Sequence, residues 1–554
     1  MNAPVTITHA SRAAGLDKLA IKRVAVIGAG SMGGGIAAQF ANAGIEVDLL
    51  DMAGPEASRN KPVLDGVARQ IKAGGFMDET LAALVRPGNV DDHLERLSDA
   101  DWIVEAIIED LDAKHSLYRR IDAIRKPGTI ISSNTSTIPR AELVAGLPPA
   151  FAADFVITHF FNPPRQMQLV ELVTAPENST ESIANVRDAL ETALGKTVID
   201  CRDTPGFIAN RIGCHWLALG ALEALRRGLT PEQADAAMAA IGVPKTGVFG
   251  LIDLVGIDIV PHVWGSLMRA LPATDDLHAH DLPGDPIIKG LIAAGRFGRK
   301  TKAGYYRMTA DKRLEVYDQV TEDYRPAQPV APAQLPGGGR DIAALLNGDT
   351  PVSAYAWSVL SGVVTYAATC APEIASDPAS IDTAMKLGYG WREGPFELSR
   401  RLGIADRLRA EGRAVPETLD ALADAKSEAG SAAHALDPLS AAKAAGRMIV
   451  GNEAASLWLL EDGVACFELH TKMNTFAPAA FDLLEQALAR GGHDYRALVL
   501  GNNDPRAFSA GADLSFILGM LRAGQTEALE RYIARGQALF LAMKYAPFPV
   551  VAAA

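Results

Sequence analysis

KRVAVIGAGSMGGGIAAQFANAGIEVDLLD, residues 22–51, decides the fold. KRVAVIG is a short β-branched run and predicts a strand. GSMGGGIAAQFANAG predicts a helix that stops at Gly44, and IEVDLLD a second strand ending on Asp51. Between the first strand and the helix, Gly28, Gly30 and Gly33 enclose Ser31 and Met32 in a GxGxxG turn. The first glycine allows a tight turn, the second lets backbone approach a pyrophosphate, and the third lets helix and strand pack closely. The helix start then offers free N–H groups and the positive end of its dipole to phosphates. A carboxylate at Asp51 accepts hydrogen bonds from ribose hydroxyls and repels a 2′-phosphate, which favours NAD over NADP.

Further βα signals follow in ADWIVEAI, DLDAKHSLYRRIDAI, TIISSNTS and FVITHFF. Short apolar strands alternating with helices imply a parallel, doubly wound sheet. The reading is an α/β Rossmann NAD-binding domain over residues 1–204.

The chain has 554 residues, too many for one core, so three or four domains are expected. A net charge of −13 argues against general nucleic-acid binding. No stretch reads as a membrane span, and the N-terminus lacks the apolar core of a signal peptide. Cys201, Cys214, Cys370 and Cys466 form no CxxC pair, which points to reduced thiols, a cytoplasmic setting and no metal site.

After DTPGFIANR the texture turns helical, giving an all-α domain over 205–310. RPAQPVAPAQLPGGGR, within an expected linker at 311–345, is rich in Pro and Gly. A repeat lies beyond it. ADAAMAAIGVPKTGVFGLIDLVGI, from Ala234, aligns ungapped with IDTAMKLGYGWREGPFELSRRLGI, from Ile381. Asp235 meets Asp382, Met238 meets Met385, Gly247 meets Gly394 and Phe249 meets Phe396. Residues 346–412 therefore read as a second copy of the helical domain, packed against the first. A helical connector is expected at 413–455, and a new α/β segment at 456–554. There SLWLLEDGVACFELH predicts a hairpin across an Asp-Gly turn. FPVVAAA ends as an apolar strand without a following helix, the pattern of an unfinished domain.

THFFNP puts His159 at a strand end, and QLVELV carries Glu171 in mid-strand. A carboxylate among Leu and Val is costly unless paired. Read alone, the two fit a satisfied core histidine and an unrelated strand carboxylate better; paired, Glu171 would orient the imidazole, whose other nitrogen then takes a hydroxyl proton as hydride leaves the same carbon.

VIGAGSMGGGIA, VEAIIEDLDAKHSLY, SSNTSTI, HFFNPPRQMQLVELV, DTPGFIANR and GRFGRKTKAGYY together resemble the 3-hydroxyacyl-CoA dehydrogenases of fatty-acid β-oxidation. The unit at 381–404 is similar to the second C-terminal domain of fused bacterial versions. The resemblance implies NAD-dependent oxidation of an L-3-hydroxyacyl-CoA to the 3-ketoacyl-CoA. It implies His159 as general base, Glu171 as its orienting partner, and Ser136 as donor to the substrate 3-oxygen. Asn210 positions or polarises that oxygen. Glu109 and Lys114 lie around the nicotinamide ribose, and Asn134 and Thr135 line the nicotinamide pocket. Read alone, Ser136 also fits a helix N-cap and Asn210 an interhelical hydrogen bond. Arg59 and Lys61 are candidate cations for the CoA phosphates, with Arg296, Arg299, Lys300 and Lys302.

NTFAPAAFDLLEQALA, ALVLGN and AFSAGADL resemble the start of an enoyl-CoA hydratase, or crotonase, domain. This implies a dehydrogenase-first fusion with an incomplete hydratase, in which the Ala510 N–H is half of an oxyanion hole. A homo-oligomer or a thiolase partner is also expected. Two rival readings are another hydroxyacid dehydrogenase acting without CoA, and a non-catalytic NAD-binding protein. The first more often uses a lysine base, and the second does not require the His159, Glu171, Ser136 and Asn210 set.

Overall fold

A computed structural model describes residues 20–424, 437–504 and 507–553. The stretch read for a targeting segment lies almost wholly outside the described residues, as do residues 425–436 of the expected connector. The chain divides into two compact units, Met1–Glu428 and Ala429–Ala554.

The first unit opens with β1 (Arg23–Ile27), β2 (Glu46–Asp51), β3 (Val85–Asn89) and β4 (Trp102–Glu105). It continues with β5 (Ile130–Ser133), β6 (Phe155–Phe160), β7 (Leu169–Val173) and β8 (Thr197–Cys201). They form one eight-stranded sheet in the order β3-β2-β1-β4-β5-β6-β7-β8. Successive residues of β1 enter different cores: Val24 and Val26 pack with Ile36 and Phe40, Ala25 and Ile27 with the core shared by the helical half. Strands buried on both faces read as continuous apolar runs, as β1 does.

β7 departs from the all-parallel expectation and runs antiparallel to β6. The 161–168 connection is too short for a crossover, which needs about a dozen residues. The reversal brings His159 directly opposite Glu171.

In the helical half, the helix Ala209–Arg226 lies along the helix Pro351–Ile374. The sequence repeat is a repeat of structure. Asp235 accepts from the N–H groups of Phe249 (2.8 Å) and Gly250 (3.0 Å). Asp382 accepts from those of Phe396 (2.8 Å) and Glu397 (3.2 Å). Each aspartate thus caps the start of a following helix from a distance. A Cβ at Gly247 would sit 2.4 Å from the Asp235 Cα, and one at Gly394 2.3 Å from the Asp382 Cα, so both glycines are needed for the same approach.

The 311–345 stretch is not a free linker. β9 (Tyr306–Met308), β10 (Leu314–Asp318) and β11 (Asp323–Pro326) form an antiparallel sheet, tied to the first copy by Arg325 and Glu232 at 2.8 Å. The Pro- and Gly-rich residues follow β11 and form the short 3-10 turns Pro332–Gln334 and Pro336–Gly339, while the strands before them are too short to show alternation.

In the second unit, β12 (Met448–Gly451), β13 (Ala455–Leu459), β14 (Val464–Leu469), β15 (Ala497–Leu500) and β16 (Val550–Ala552) lie in sequence order. The β13–β14 hairpin forms across Glu461–Gly463 as expected. Residues 437–455 are not connector: the helix Pro438–Ala444 packs on β13, and Met448–Gly451 is the edge strand. No single described helix is long and apolar enough to cross a membrane.

Burial pushes the Asp382 carboxyl up to about 7, against the pull of its N–H donors. Its unfolded value is near 3.9. Between those values the folded chain binds the proton more tightly, so this contribution is full below about pH 4 and is lost as pH rises toward 7. Asp382→Asn removes the titration and keeps one acceptor oxygen. Melts at about pH 5 and about pH 7.5 are expected to show a smaller fall in Tm for the variant than for the wild type.

Candidate functional site

The Gly-rich turn joins β1 to the helix Ser31–Asn42. Gly28 has φ +103°, and a Cβ there would lie 2.4 Å from the Ala106 carbonyl oxygen. A Cβ at Gly33 would lie 1.8 Å from the Gly28 carbonyl oxygen, so helix and turn touch backbone to backbone. A Cβ at Gly30 would meet no protein atom within 4 Å. Gly30 precedes a helix that has no side-chain cap and no acid in its first turn. Around Ser31, Met32 and Gly33 the structure therefore offers open space beside uncapped N–H donors, which suits a pyrophosphate. The Asp51 carboxylate accepts from the N–H groups of Ala29 (2.9 Å) and Met52 (2.7 Å), beside this turn. These residues fit a dinucleotide.

A second cluster hangs on Glu105, which sequence reasoning missed. Glu105 ends β4 with no solvent exposure. Its oxygens accept from Lys114 Nζ (2.6 Å), the Ile107 N–H (2.8 Å), the Tyr118 hydroxyl (2.6 Å) and Ser133 Oγ (2.7 Å). The acid at the end of the apolar run WIVE was the available signal. Lys114, expected beside the nicotinamide ribose, is instead buried, with Nζ also 3.5 Å from Glu109. Glu109 accepts from Thr135 Oγ1 (2.6 Å) and the Ser136 N–H (2.9 Å). Burial alone would raise its carboxyl, but the Lys114 ammonium and these donors hold it below the usual carboxylate range. Asn134 Oδ1 accepts from the Phe160 N–H at 2.9 Å, which ties the β5 end to β6.

His159 and Glu171 meet where β6 and β7 pair. His159 Nδ1 lies 2.7 Å from Glu171 Oε2, and Ser136 Oγ lies 3.2 Å from His159 Nε2. The other Glu171 oxygen accepts from the N–H groups of Ile208 (3.1 Å) and Ala209 (2.7 Å). Phe207 makes those donors available: its φ of +49° turns the chain into the helix Ala209–Arg226. A left-handed phenylalanine costs about 1–2 kcal/mol and is held where the surroundings over-determine it. Phe161 and Phe207 flank the imidazole, with ring centroids 4.6 and 5.6 Å away. Asn210 follows in the first turn of that helix, its Oδ1 accepting from the Tyr389 hydroxyl at 3.2 Å. Tyr389 belongs to the second copy and was not foreseen.

Other candidates are engaged elsewhere. Arg59 makes a two-pronged pair with Asp92 at 2.6 and 2.7 Å, and Lys61 pairs with Asp65 at 2.7 Å, so neither presents a free cation. Lys300 pairs with Asp258, and Arg296 stacks over Tyr324 at 5.0 Å. The Ala510 N–H donates to the Met473 carbonyl at 3.0 Å, so it is not the open oxyanion donor expected of it. The cause is a left-handed turn at Met473 and Asn474, φ 57° and 53°. His215, Asp276 and His280 come together, with Asp276 Oδ2 2.8 and 3.4 Å from the two Nε2 atoms. Both Nδ1 atoms lack partners among the described residues, and metal-ligating imidazoles take an outer hydrogen bond there.

Known proteins are similar to this chain. The model of the 3-hydroxyacyl-CoA dehydrogenase NAD binding domain covers residues 23–204, and that of the C-terminal domain covers 206–308. A putative fatty acid oxidation complex trifunctional enzyme of Rickettsia felis is 32% identical over 96% of this chain and 74% of its own length. A probable 3-hydroxyacyl-CoA dehydrogenase of Bacillus subtilis is 31% identical over 96% of this chain and 73% of its own. The crystal structure of 3-hydroxybutyryl-CoA dehydrogenase from Escherichia coli shares the fold, with a TM-score of 0.55 at 23% identity over 73% of this chain and 98% of that one. The sheet that carries the open glycine turn and the helical domain that closes on Glu171 are thus the two parts of one known enzyme, and the chain belongs to the 3-hydroxyacyl-CoA dehydrogenase family, NAD-dependent oxidoreductases of fatty-acid oxidation.

Proposed function

We propose that His159 is the general base for oxidation of an L-3-hydroxyacyl-CoA and that Glu171 fixes its proton on Nδ1. The observation that carries this is the 2.7 Å contact between Nδ1 and a carboxylate otherwise held by two backbone donors. An imidazole with Nδ1–H toward a carboxylate has its Nε2 lone pair free to take a proton, and the resulting cation is stabilised by the same carboxylate. Ser136 Oγ, already facing Nε2, donates to the substrate 3-oxygen, and the Asn210 amide donates from the helical side. The C3–H bond breaks with its electron pair and the O–H bond breaks to Nε2. When bound, NAD supplies the acceptor for that hydride. Gly28, Gly30, Ser31, Met32, Gly33 and Asp51 hold its adenosine half. Glu109, Asn134 and Thr135 form the nicotinamide side, with Lys114 acting behind Glu109.

The trifunctional name of the Rickettsia relative, aligned along nearly the whole chain, supports a hydratase-like origin for the C-terminal unit, and a thiolase partner stays part of the reading on the sequence resemblance. Bacterial relatives and the scattered thiols support a cytoplasmic setting. The sequence resemblance to fused bacterial enzymes also leaves a homo-oligomer as part of the reading.

Acetoacetyl-CoA reduction followed by NADH oxidation tests the assignment. His159→Ala is expected to lose at least about a hundredfold in kcat. Glu171→Gln sets an amide against donors on both sides and is expected to lose at least about tenfold. Equal rates in wild type and both variants would sink the reading. Because the Ala510 N–H is engaged, crotonyl-CoA hydration by this chain is expected at background, and turnover clearly above it would show that the turn rearranges.

A further inference from the structure

Tyr389 ends the helix Pro378–Tyr389 of the second copy. In the repeat it aligns with Gly242, which follows the helix Pro231–Ile241 as its left-handed cap, φ 91°. In the second copy the helix runs one residue further and the left-handed cap is Gly390, φ 70°. The residue gained is the tyrosine. It reaches a partner 179 positions away, donating to Asn210 Oδ1 at 3.2 Å.

The helix bearing Asn210 is shaped to receive this ring. A Cβ at Gly213 would lie 2.0 Å from the Tyr389 Cζ. Trp216 meets the ring edge-on, with centroids 6.4 Å apart at 89°. Asn210, Gly213 and Trp216 fall at three-residue spacing, one face of a helix. Glycine is a poor helix former, so its presence in mid-helix here calls for a packing reason, and the tyrosine is that reason. Burial, with the Cys214 thiol and the Glu171 carboxylate nearby, raises the hydroxyl well above the ordinary tyrosine range and keeps it a donor. With Oδ1 so engaged, the amide N–H groups of Asn210 have no partner among the described residues.

We infer that Tyr389 is a positioning residue for the dehydrogenase reaction: the second helical copy grips Asn210 by its oxygen and so presents Nδ2 to the substrate 3-oxygen. This rests on the role given to Asn210 above. An amide free to rotate presents oxygen as readily as nitrogen, and an oxygen there repels the developing alkoxide.

The test is a double-mutant cycle on the full chain, with kcat and the KM for NADH measured separately. Tyr389→Phe keeps the ring and removes the donor. It is expected to lower kcat about five- to tenfold with the KM for NADH unchanged. In an Asn210→Ala background the same change is expected to do nothing further. Gly213→Ala keeps the hydroxyl but displaces the ring, and is expected to give a similar kcat loss. That variant decides the matter should Tyr389→Phe lower Tm enough to obscure the kinetics. An active wild type with an unaffected Tyr389→Phe overturns this inference alone, as does an equal loss in the Asn210→Ala background. An inactive wild type overturns the functional reading and this one with it.

Discussion

A carboxylate removed from water must have both oxygens satisfied, and in meeting that demand the Glu171 carboxylate links the sheet to the helical half of the first unit. One oxygen faces the His159 imidazole across the β6–β7 pair, and the other receives the N–H groups of Ile208 and Ala209. Those donors open the first helix of the all-α half. A single buried charge therefore ties the sheet to the helical domain and sets the imidazole between them. Breaking one side leaves a buried carboxylate oxygen without its donors, at a cost of about 1–3 kcal/mol or more, so the arrangement resists partial loosening. An imidazole held in this way is aligned before any substrate arrives.

The cofactor side follows the same logic. Glu105, fully buried, gathers Lys114, Tyr118 and Ser133, and Lys114 in turn steadies Glu109 beside Thr135 and Ser136. Two buried carboxylates, on β4 and β7, thus anchor the loops at the ends of β4, β5 and β6. The glycine turn stays open by contrast: among the described residues no side chain caps the helix at Ser31, and none fills the space beside Gly30. Donors that face water in the free protein are the ones a phosphate can use.

The duplicated helical unit shows what a repeat keeps and what it frees. The long-range aspartate cap, with the glycine that lets it approach, is retained in both copies because the fold of the unit requires it. The helix end is not so constrained, and one copy extends it by the residue that meets Asn210.

The glycine turn, the strand–helix alternation and the paired aspartates of the repeat were legible in sequence because each is local or repeats at a fixed offset. His159 and Glu171 stood out because a carboxylate in an apolar strand needs a partner and because the strings around both resemble a known family. Sequence alone did not yield the reversal of β7, since direction depends on connection length against sheet geometry. Nor did it yield the Glu105 hub, whose partners converge only when β4, β5 and the helix Leu111–Asp122 pack. Arg59, Lys61 and Ala510 looked free because a sequence does not show which acceptor sits opposite a donor. The motif strings, through their resemblance to a known family, therefore pointed to the chemistry this chain carries. Tertiary structure decided which groups are paired, which remain open, and that a tyrosine of the second copy faces the site of the first, because hydrogen bonds between distant residues form only when the backbone brings them together.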